Sequence, residues 1–384
     1  MPITDDVDAV VQGGNAFAAD LYARLRLGQS SNLFFSPCST SMALAMTYAG
    51  AEGQTADQMA RVLHFPLPKA RLNPAFNRLR AQLTGSGQTP DFQLRVANRL
   101  WGQQGFHFLP EFLRVTGTDF GAELGLLDFK QAETARTTIN AWVDERTDHK
   151  IPDLLARGVV DTSTRLVLTN AIYFKARWTH EFSKSATTDA PFHISVSQQV
   201  AVPTMHQMHR LRYCVIDNVQ LLELPYGEFG TLSMLVLLPK AIDGLGDLEK
   251  RLTRSNLQTW TAGLQPRLVN VRFPRFKMTS EFSLADVLES LGMPLAFSTK
   301  ADFSGMSSEE QFFISAVIHK AFVDVNEEGT EAAAATAVGI RLMAAPPSPE
   351  KPVEFRADHP FAFIILDSQT QSILFLGRLA NPKG

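Results

Sequence analysis

Glu327-Glu328-Gly329-Thr330-Glu331-Ala332-Ala333-Ala334-Ala335-Thr336 sets four alanines behind an acidic, glycine-containing lead. Taken alone it reads as a helix, because alanine is the strongest helix former and Thr330 can cap the run. A flexible linker is the other plain reading. The continuation weakens both, since Val338, Ile340 and Leu342 alternate with Gly339, Arg341 and Met343. Traced back with period two, Thr330, Ala332, Ala334 and Thr336 fall on the same face, and Glu331, Ala333 and Ala335 on the other. This is the pattern of a half-buried strand. Its first half carries only small side chains on the inner face, so it can slide between strands that are already packed. No proline interrupts it, so every N–H can join a ladder.

Downstream comes Ala344-Ala345-Pro346-Pro347-Ser348-Pro349-Glu350-Lys351-Pro352. Prolines at this density prevent helix and sheet and favour an extended, exposed strip. Proteases cut such backbone readily. Residues 327–352 therefore join a cleavable tip to a segment suited to becoming a strand.

Outward from this loop, the first third reads as helical and the rest as mostly strands. Phe17, Leu21 and Leu25 keep helical spacing within Asn15–Leu27, and Ser36-Pro37 opens a second helix that ends near Gly50. Thr55 is a candidate cap for a third helix, Asn73-Pro74 a start for a fourth, and Thr134–Thr147 another amphipathic stretch. Leu166–Trp178, Tyr213–Tyr226, Thr231–Leu238, Leu268–Phe276 and Phe312–Asn326 read as strands, and Pro360–Leu379 as a hairpin. Helices before strands, without regular alternation, predict an α+β fold. There is no internal repeat and no dividing linker, so residues 1–384 read as a single domain.

The 384 residues are 45% hydrophobic and 20% charged, with a net charge of −3. That is ordinary globular composition, without the basic stripe that nucleic acid binding requires. No stretch approaches the roughly 20 apolar residues of a membrane span. Cys38 and Cys214 alone cannot make a disulfide framework. Enzyme motifs are missing: no Gly-Xaa-Ser-Xaa-Gly elbow, no His-Glu-Xaa-Xaa-His, no Walker loop and no Cys-Xaa-Xaa-Cys. Gly244-Leu245-Gly246 lacks the third glycine of a dinucleotide site. His206 and His209, three apart, fit one helix face but have no third metal ligand. His64, His149 and His180 belong to no constellation. An enzyme using Ser36 or His319 lacks a nucleophile–base motif. No metal or cofactor is expected.

Residues 327–335 resemble the proximal hinge of inhibitory serpins, and the resemblance runs along nearly the whole chain. Asn32-Leu33-Phe34-Phe35-Ser36-Pro37-Cys38-Ser39 is similar to the family's entry to its second helix. Thr169-Asn170-Ala171-Ile172-Tyr173-Phe174-Lys175-Ala176-Arg177-Trp178 is similar to its long central strand. Leu222-Glu223-Leu224-Pro225-Tyr226, Ala316-Val317-Ile318-His319-Lys320-Ala321, Asp358-His359-Pro360-Phe361 and Phe375-Leu376-Gly377-Arg378 follow in the family's order.

The resemblance implies a serpin fold: three β-sheets, about nine helices and an exposed reactive-centre loop. It implies a serine protease inhibitor, not an enzyme. The target serine protease forms a covalent acyl-enzyme on the loop, and the cut loop inserts as a new central strand. Counted from Gly329, family spacing puts the reactive bond at Met343-Ala344, to within a residue or two, with Arg341 and Leu342 as alternatives. Met343 suits a chymotrypsin-like or elastase-like pocket. Glu327, Glu328, Gly329, Thr330, Glu331, Ala332, Ala333, Ala334 and Ala335 form the hinge. Ser36, Ser39, Asn170 and His319 match the shutter, and Trp178 the breach. Around Asn73–Leu83 only Arg71, Arg78 and Arg80 are basic, so heparin activation is not expected. A monomer liable to loop–sheet polymerisation is implied. A non-inhibitory serpin, chaperone-like or a carrier, is the main alternative, and inhibition of a cysteine protease another. Family habit favours an extracellular protein. Met1-Pro2-Ile3-Thr4-Asp5-Asp6 is acidic where a secretion signal is basic, which leaves cytoplasmic as the alternative.

Overall fold

The computed structural model describes residues 4–85, 92–309, 311–330 and 350–384. Among them are nine α-helices: α1 (Thr4–Leu25), α2 (Pro37–Ala49), α3 (Gly53–Val62), α4 (Lys69–Gly85), α5 (Pro110–Asp119), α6 (Ala132–Arg146), α7 (Leu245–Lys250), α8 (Arg254–Ala262) and α9 (Ala285–Leu291). The strands are β1 (Leu33–Phe35), β2 (Phe92–Gln103), β3 (Gly125–Leu127), β4 (Leu166–Arg177), β5 (Thr188–Ser195), β6 (Gln198–Ile216), β7 (Val219–Tyr226), β8 (Leu232–Pro239), β9 (Gln265–Pro274), β10 (Phe276–Ser283), β11 (Ala316–Val325), β12 (Gly329–Thr330), β13 (Val353–Arg356), β14 (Phe361–Asp367) and β15 (Ile373–Leu379). The α+β expectation holds.

Hydrogen bonding links the strands into two assemblies. One has the order β10-β11-β12-β4-β2-β3. The other has the order β1-β15-β14-β8-β7-β6-β9-β13, with β5 also on β6. The second assembly contains two of the three expected sheets, joined because one 19-residue strand serves both. β6 pairs with β5 and β9 along its first part and with β7 only from Arg212 onward.

The six-stranded sheet is covered on both faces, which explains why every residue of β4 from Leu166 to Phe174 is buried. Leu166, Leu168, Ile172, Phe174 and Ala176 face the main core, together with α1 and α2. Val167 and Ala171 face Ala135, Ile139 and Val143 of α6 in a second cluster. Each such aliphatic side chain contributes roughly 1.5–3 kcal/mol when fully buried.

Several local readings change. Tyr213–Tyr226 is a hairpin of β6 and β7, turning at Asp217, whose φ of 52° lies in the left-handed region. His206 and His209 lie on β6, not on a helix: His206 bonds Asn270 Oδ1, and His209 stacks on His180 with centroids 4.2 Å apart. Thr55 does not cap α3 but lies within it, where its hydroxyl accepts from Asp302 N at 2.9 Å. The fourth helix begins at Lys69, so Pro74 sits inside it. β2 is a long strand in the third of the chain read as helical. Cys38 and Cys214 are both free thiols, and burial pushes Cys38 up to about 11. Among the described residues no cluster of three metal-ligating side chains occurs.

Candidate functional site

β4 and β11 run parallel side by side, registered from Ala316 opposite Val167 to Phe322 opposite Tyr173. Both are central, so any strand added between them must part this seam. At the seam's top the chain turns back on itself. Asn326 N donates to Gly329 O at 2.8 Å, Gly329 N to Asn326 O at 3.3 Å, and Glu328 N to Asn326 Oδ1 at 3.0 Å. The turn delivers β12 between the two strands, antiparallel to each: Thr330 pairs with Val325 on one side and Ala176 on the other. Thr330 is fully buried. Gly329 has φ of 151°, and a Cβ there would stand 2.0 Å from Ala176 O, so only glycine fits.

Side chains fasten this wedge. Trp178 N donates to Glu328 O at 3.0 Å, and its indole Nε1 donates to Asn326 O at 2.9 Å. The indole stacks on Tyr226 at 4.3 Å, and the Tyr226 and Thr330 hydroxyls share a hydrogen bond of 2.9 Å. The Glu327 carboxylate is 1% exposed and accepts from Arg275 Nε at 2.7 Å, from Arg275 Nη2 and from Thr187 Oγ1. Burial opposes its charge, but these bonds outweigh burial and hold it below the usual carboxylate range. Glu328 pairs with Lys184.

Below the wedge a polar row crosses the sheet. Asn98 of β2 lies opposite Asn170 of β4, which lies opposite His319 of β11. Asn170 Oδ1 accepts from His319 Nδ1 and, at 3.3 Å, from Thr40 Oγ1; Asn170 Nδ2 donates to Ser39 Oγ at 2.6 Å and to Asn98 Oδ1. His319 Nε2 accepts from Ser36 N at 3.1 Å. That pattern fixes the neutral tautomer with the proton on Nδ1, and burial lowers the ring's pKa to about 3. The α2 N-terminus supplies the rest. Ser36 caps it, accepting from Ser39 N at 3.2 Å while donating to Leu374 O at 2.6 Å.

The structure thus unites Ser36, Ser39, Asn170 and His319 in one cluster and Trp178 with Glu327, Glu328, Gly329 and Thr330 in another. Asn98, Thr40, Tyr226, Thr187 and Arg275 belong to these clusters and were not anticipated. Asn98 carried a signal, as a polar residue on the otherwise apolar face of Leu94, Val96 and Leu100, but only once β2 is read as a strand. Glu331, Ala332, Ala333, Ala334, Ala335, Arg341, Leu342, Met343 and Ala344 lie outside the described residues.

A sheet wedged open at one end by the first residues of a loop invites comparison. The sequence matches the family described as Serpin (serine protease inhibitor) over residues 12–382. The chain belongs to the serpin family. It is 44% identical to leukocyte elastase inhibitor of Xenopus laevis and 45% identical to that of Homo sapiens, covering 95% of this chain and 97% of each relative. Among solved structures it is similar to Serpin48 of Tenebrio molitor, with TM-score 0.87 and 34% identity over 97% of this chain and 98% of that one. It is also similar to human thyroxine-binding globulin complexed with thyroxine, with TM-score 0.89 and 29% identity over 99% and 100%. The family's description and the names of these relatives are those of protease inhibitors, not of enzymes. The serpin fold also carries a thyroxine-binding protein, so fold by itself does not settle function.

Proposed function

We propose that this serpin traps a serine protease of chymotrypsin-like or elastase-like specificity by cleavage at Met343-Ala344 and insertion of the hinge between β4 and β11. The observation that carries the reading is β12. Its register pairs Thr330 with Ala176. Continued along β4, the same register sets residue 336 opposite Asn170 and residue 340 opposite Leu166, where β4 begins. A cut after Met343 therefore frees enough chain to cross the whole sheet. Thr330 points to Tyr226 in the main core, so the alternate residues Ala332, Ala334 and Thr336 face that core too. Alanines slide in without displacing packed side chains, and the Thr336 hydroxyl arrives level with the polar row.

The chemistry is the protease's own. Its serine Oγ bonds to the Met343 carbonyl carbon, and the Met343–Ala344 bond breaks. The Ala344 amine leaves with a proton from the protease's general acid. The ester would normally be hydrolysed. Insertion carries the esterified protease along the sheet before water completes that step. The serpin supplies no catalytic group, only the free energy of completing its sheet. The names of the leukocyte elastase inhibitors support an elastase-like target. Heparin plays no part in this reading, because Arg71 and Arg78 both pair with Asp6.

The test is to mix the protein separately with chymotrypsin, pancreatic elastase and trypsin, run denaturing gels and weigh the released C-terminal peptide. A band at the summed mass and a peptide beginning at Ala344 are expected with the first two. Cleavage by all three without any such band would leave the non-inhibitory reading.

A further inference from the structure

Two strands share the side of β6 that faces away from β9. β5 pairs with it as far as Thr204 and β7 only from Arg212 onward, so residues 205–211 have no paired strand there among the described residues. His209 lies half-buried in that gap, on the inner face between the buried Gln207 and Leu211. The ring stacked on it belongs to His180, with centroids 4.2 Å apart and planes within 1° of parallel. His180 sits in the short segment, residues 178–182, that leaves the end of β4. That segment seats the hinge: Trp178 N donates to Glu328 O at 3.0 Å and Phe182 N to Glu327 O at 2.8 Å, while Thr179 N donates to Pro225 O at 2.9 Å. The stack is therefore a side-chain tie between the end of β4 and β6.

The charges around the pair are engaged with one another. Arg212 of β6 pairs with Glu223 of β7, Arg210 of β6 and Arg267 of β9 share Glu350, Arg275 holds Glu327, and Lys184 holds Glu328. Arg177 at the end of β4 is also partnered. Glu181, Glu228 and Arg272 are exposed, and His206 bonds Asn270 on the other face of β6. Among the described residues neither ring of the stack has a carboxylate partner. Burial holds both below their ordinary 6.5, and His180 pushes His209 further the same way.

We propose that the His180–His209 stack is an acid-released latch: neutral rings hold the end of β4 against β6, and a proton on each drives the rings apart and frees the segment that seats the hinge. Two like charges in contact repel, and a half-buried site screens them less than open water does. A single proton sets one charge against a neutral ring, so release belongs to the second. The folded rings take up protons less readily than unfolded ones, so the latch's stabilisation is complete above pH 6.5 and is lost as pH falls below it. Once the segment is free, the end of β4 swings from β11 more easily, and the uncut loop can enter the seam or that of a second copy. Acid thus converts the protein into inserted or polymeric forms without cleavage. This consequence rests on the insertion proposed above; the latch does not.

The experiment is amide hydrogen exchange of the intact protein at pH 7.5, 6 and 5, corrected for the intrinsic effect of pH and read at residues 178–182. Their exchange should quicken by at least about tenfold on acidification, the factor that one proton carries over one pH unit. His180→Phe and His209→Phe keep an aromatic face but cannot charge it, so each should hold the exchange flat. Thermal melts at pH 7.5 report whether each variant is folded. In His180→Phe the remaining His209, followed by nuclear magnetic resonance, should titrate at a higher pH than in the native protein, which a merely structural contact would not produce. No quickening in the native protein, the same quickening in both folded variants, or an unmoved His209 titration would each overturn the latch. Native gels at pH 5 should show slower polymer formation by the variants than by the native protein, and equal rates would overturn the consequence for insertion.

Discussion

His319 holds two acceptor–donor bonds in a place no water reaches, and its titration follows from that. Its folded pKa of about 3 lies below the unfolded value of 6.5. The native state therefore binds fewer protons, and the group's full stabilisation is present above pH 6.5. It is lost as pH falls from 6.5 toward 3, by about 1.4 kcal/mol per unit. Urea midpoints measured between pH 7 and 4 should fall steeply for the native protein, and His319→Gln should flatten that limb while lowering the midpoint at pH 7. Glu327 acts above the polar row, in the wedge itself. Glu327→Gln removes the carboxylate charge opposite Arg275 and should cost about 1–3 kcal/mol, read as a lower thermal midpoint and faster polymer formation on native gels after mild heating. Ser36, Ser39, Asn170 and His319 were legible because the family resemblance supplied them as a group. Arg275 and Thr187 were not. They reach Glu327 from strand junctions far away in sequence, and no local pattern signals an ion pair made across 52 residues or a hydroxyl bond made across 140.

At the scale of elements, β12 is two residues long, and its register is the one in which the proposed insertion would continue. Thr330→Arg would drive a long charged side chain into the main core beside Tyr226. Loop cleavage by chymotrypsin should proceed unchanged. The ratio of substrate turnover to trapping should rise at least about tenfold, the factor that 1.4 kcal/mol on the insertion barrier gives. The period-two pattern of residues 330–342 reads as a latent strand, and of these residues Thr330 alone is described, in β12. The hairpin inside 213–226 and the early strand β2 were missed for related reasons. Asp217 is a turn residue that a continuous apolar run conceals. β2 alternates over Phe92–Val96, but Asn98 then interrupts the apolar face of Leu94, Val96 and Leu100 while Ala97 and Trp101 are buried on the other, so the pattern breaks halfway.

Across the whole molecule, sheets and helices are tied at points remote from the seam, so the seam can part without unravelling the rest. Arg378 of β15 and Glu249 of α7 form an ion pair of 3.0 Å with both side chains 4% exposed, and Tyr22 of α1 donates to the same carboxylate at 2.7 Å. Removing one partner leaves a buried charge, so Arg378→Met should lower unfolding stability by about 3–5 kcal/mol, measurable by urea titration. Loop cleavage should have the opposite sign, because insertion adds a ladder on both sides of a new strand. The most direct measurement is to nick the loop near Met343 with a protease that is not trapped, then compare thermal unfolding of the nicked and intact protein. The account predicts that the nicked form unfolds at a far higher temperature. Equal or lower stability after cleavage would contradict insertion, and with it the trapping mechanism.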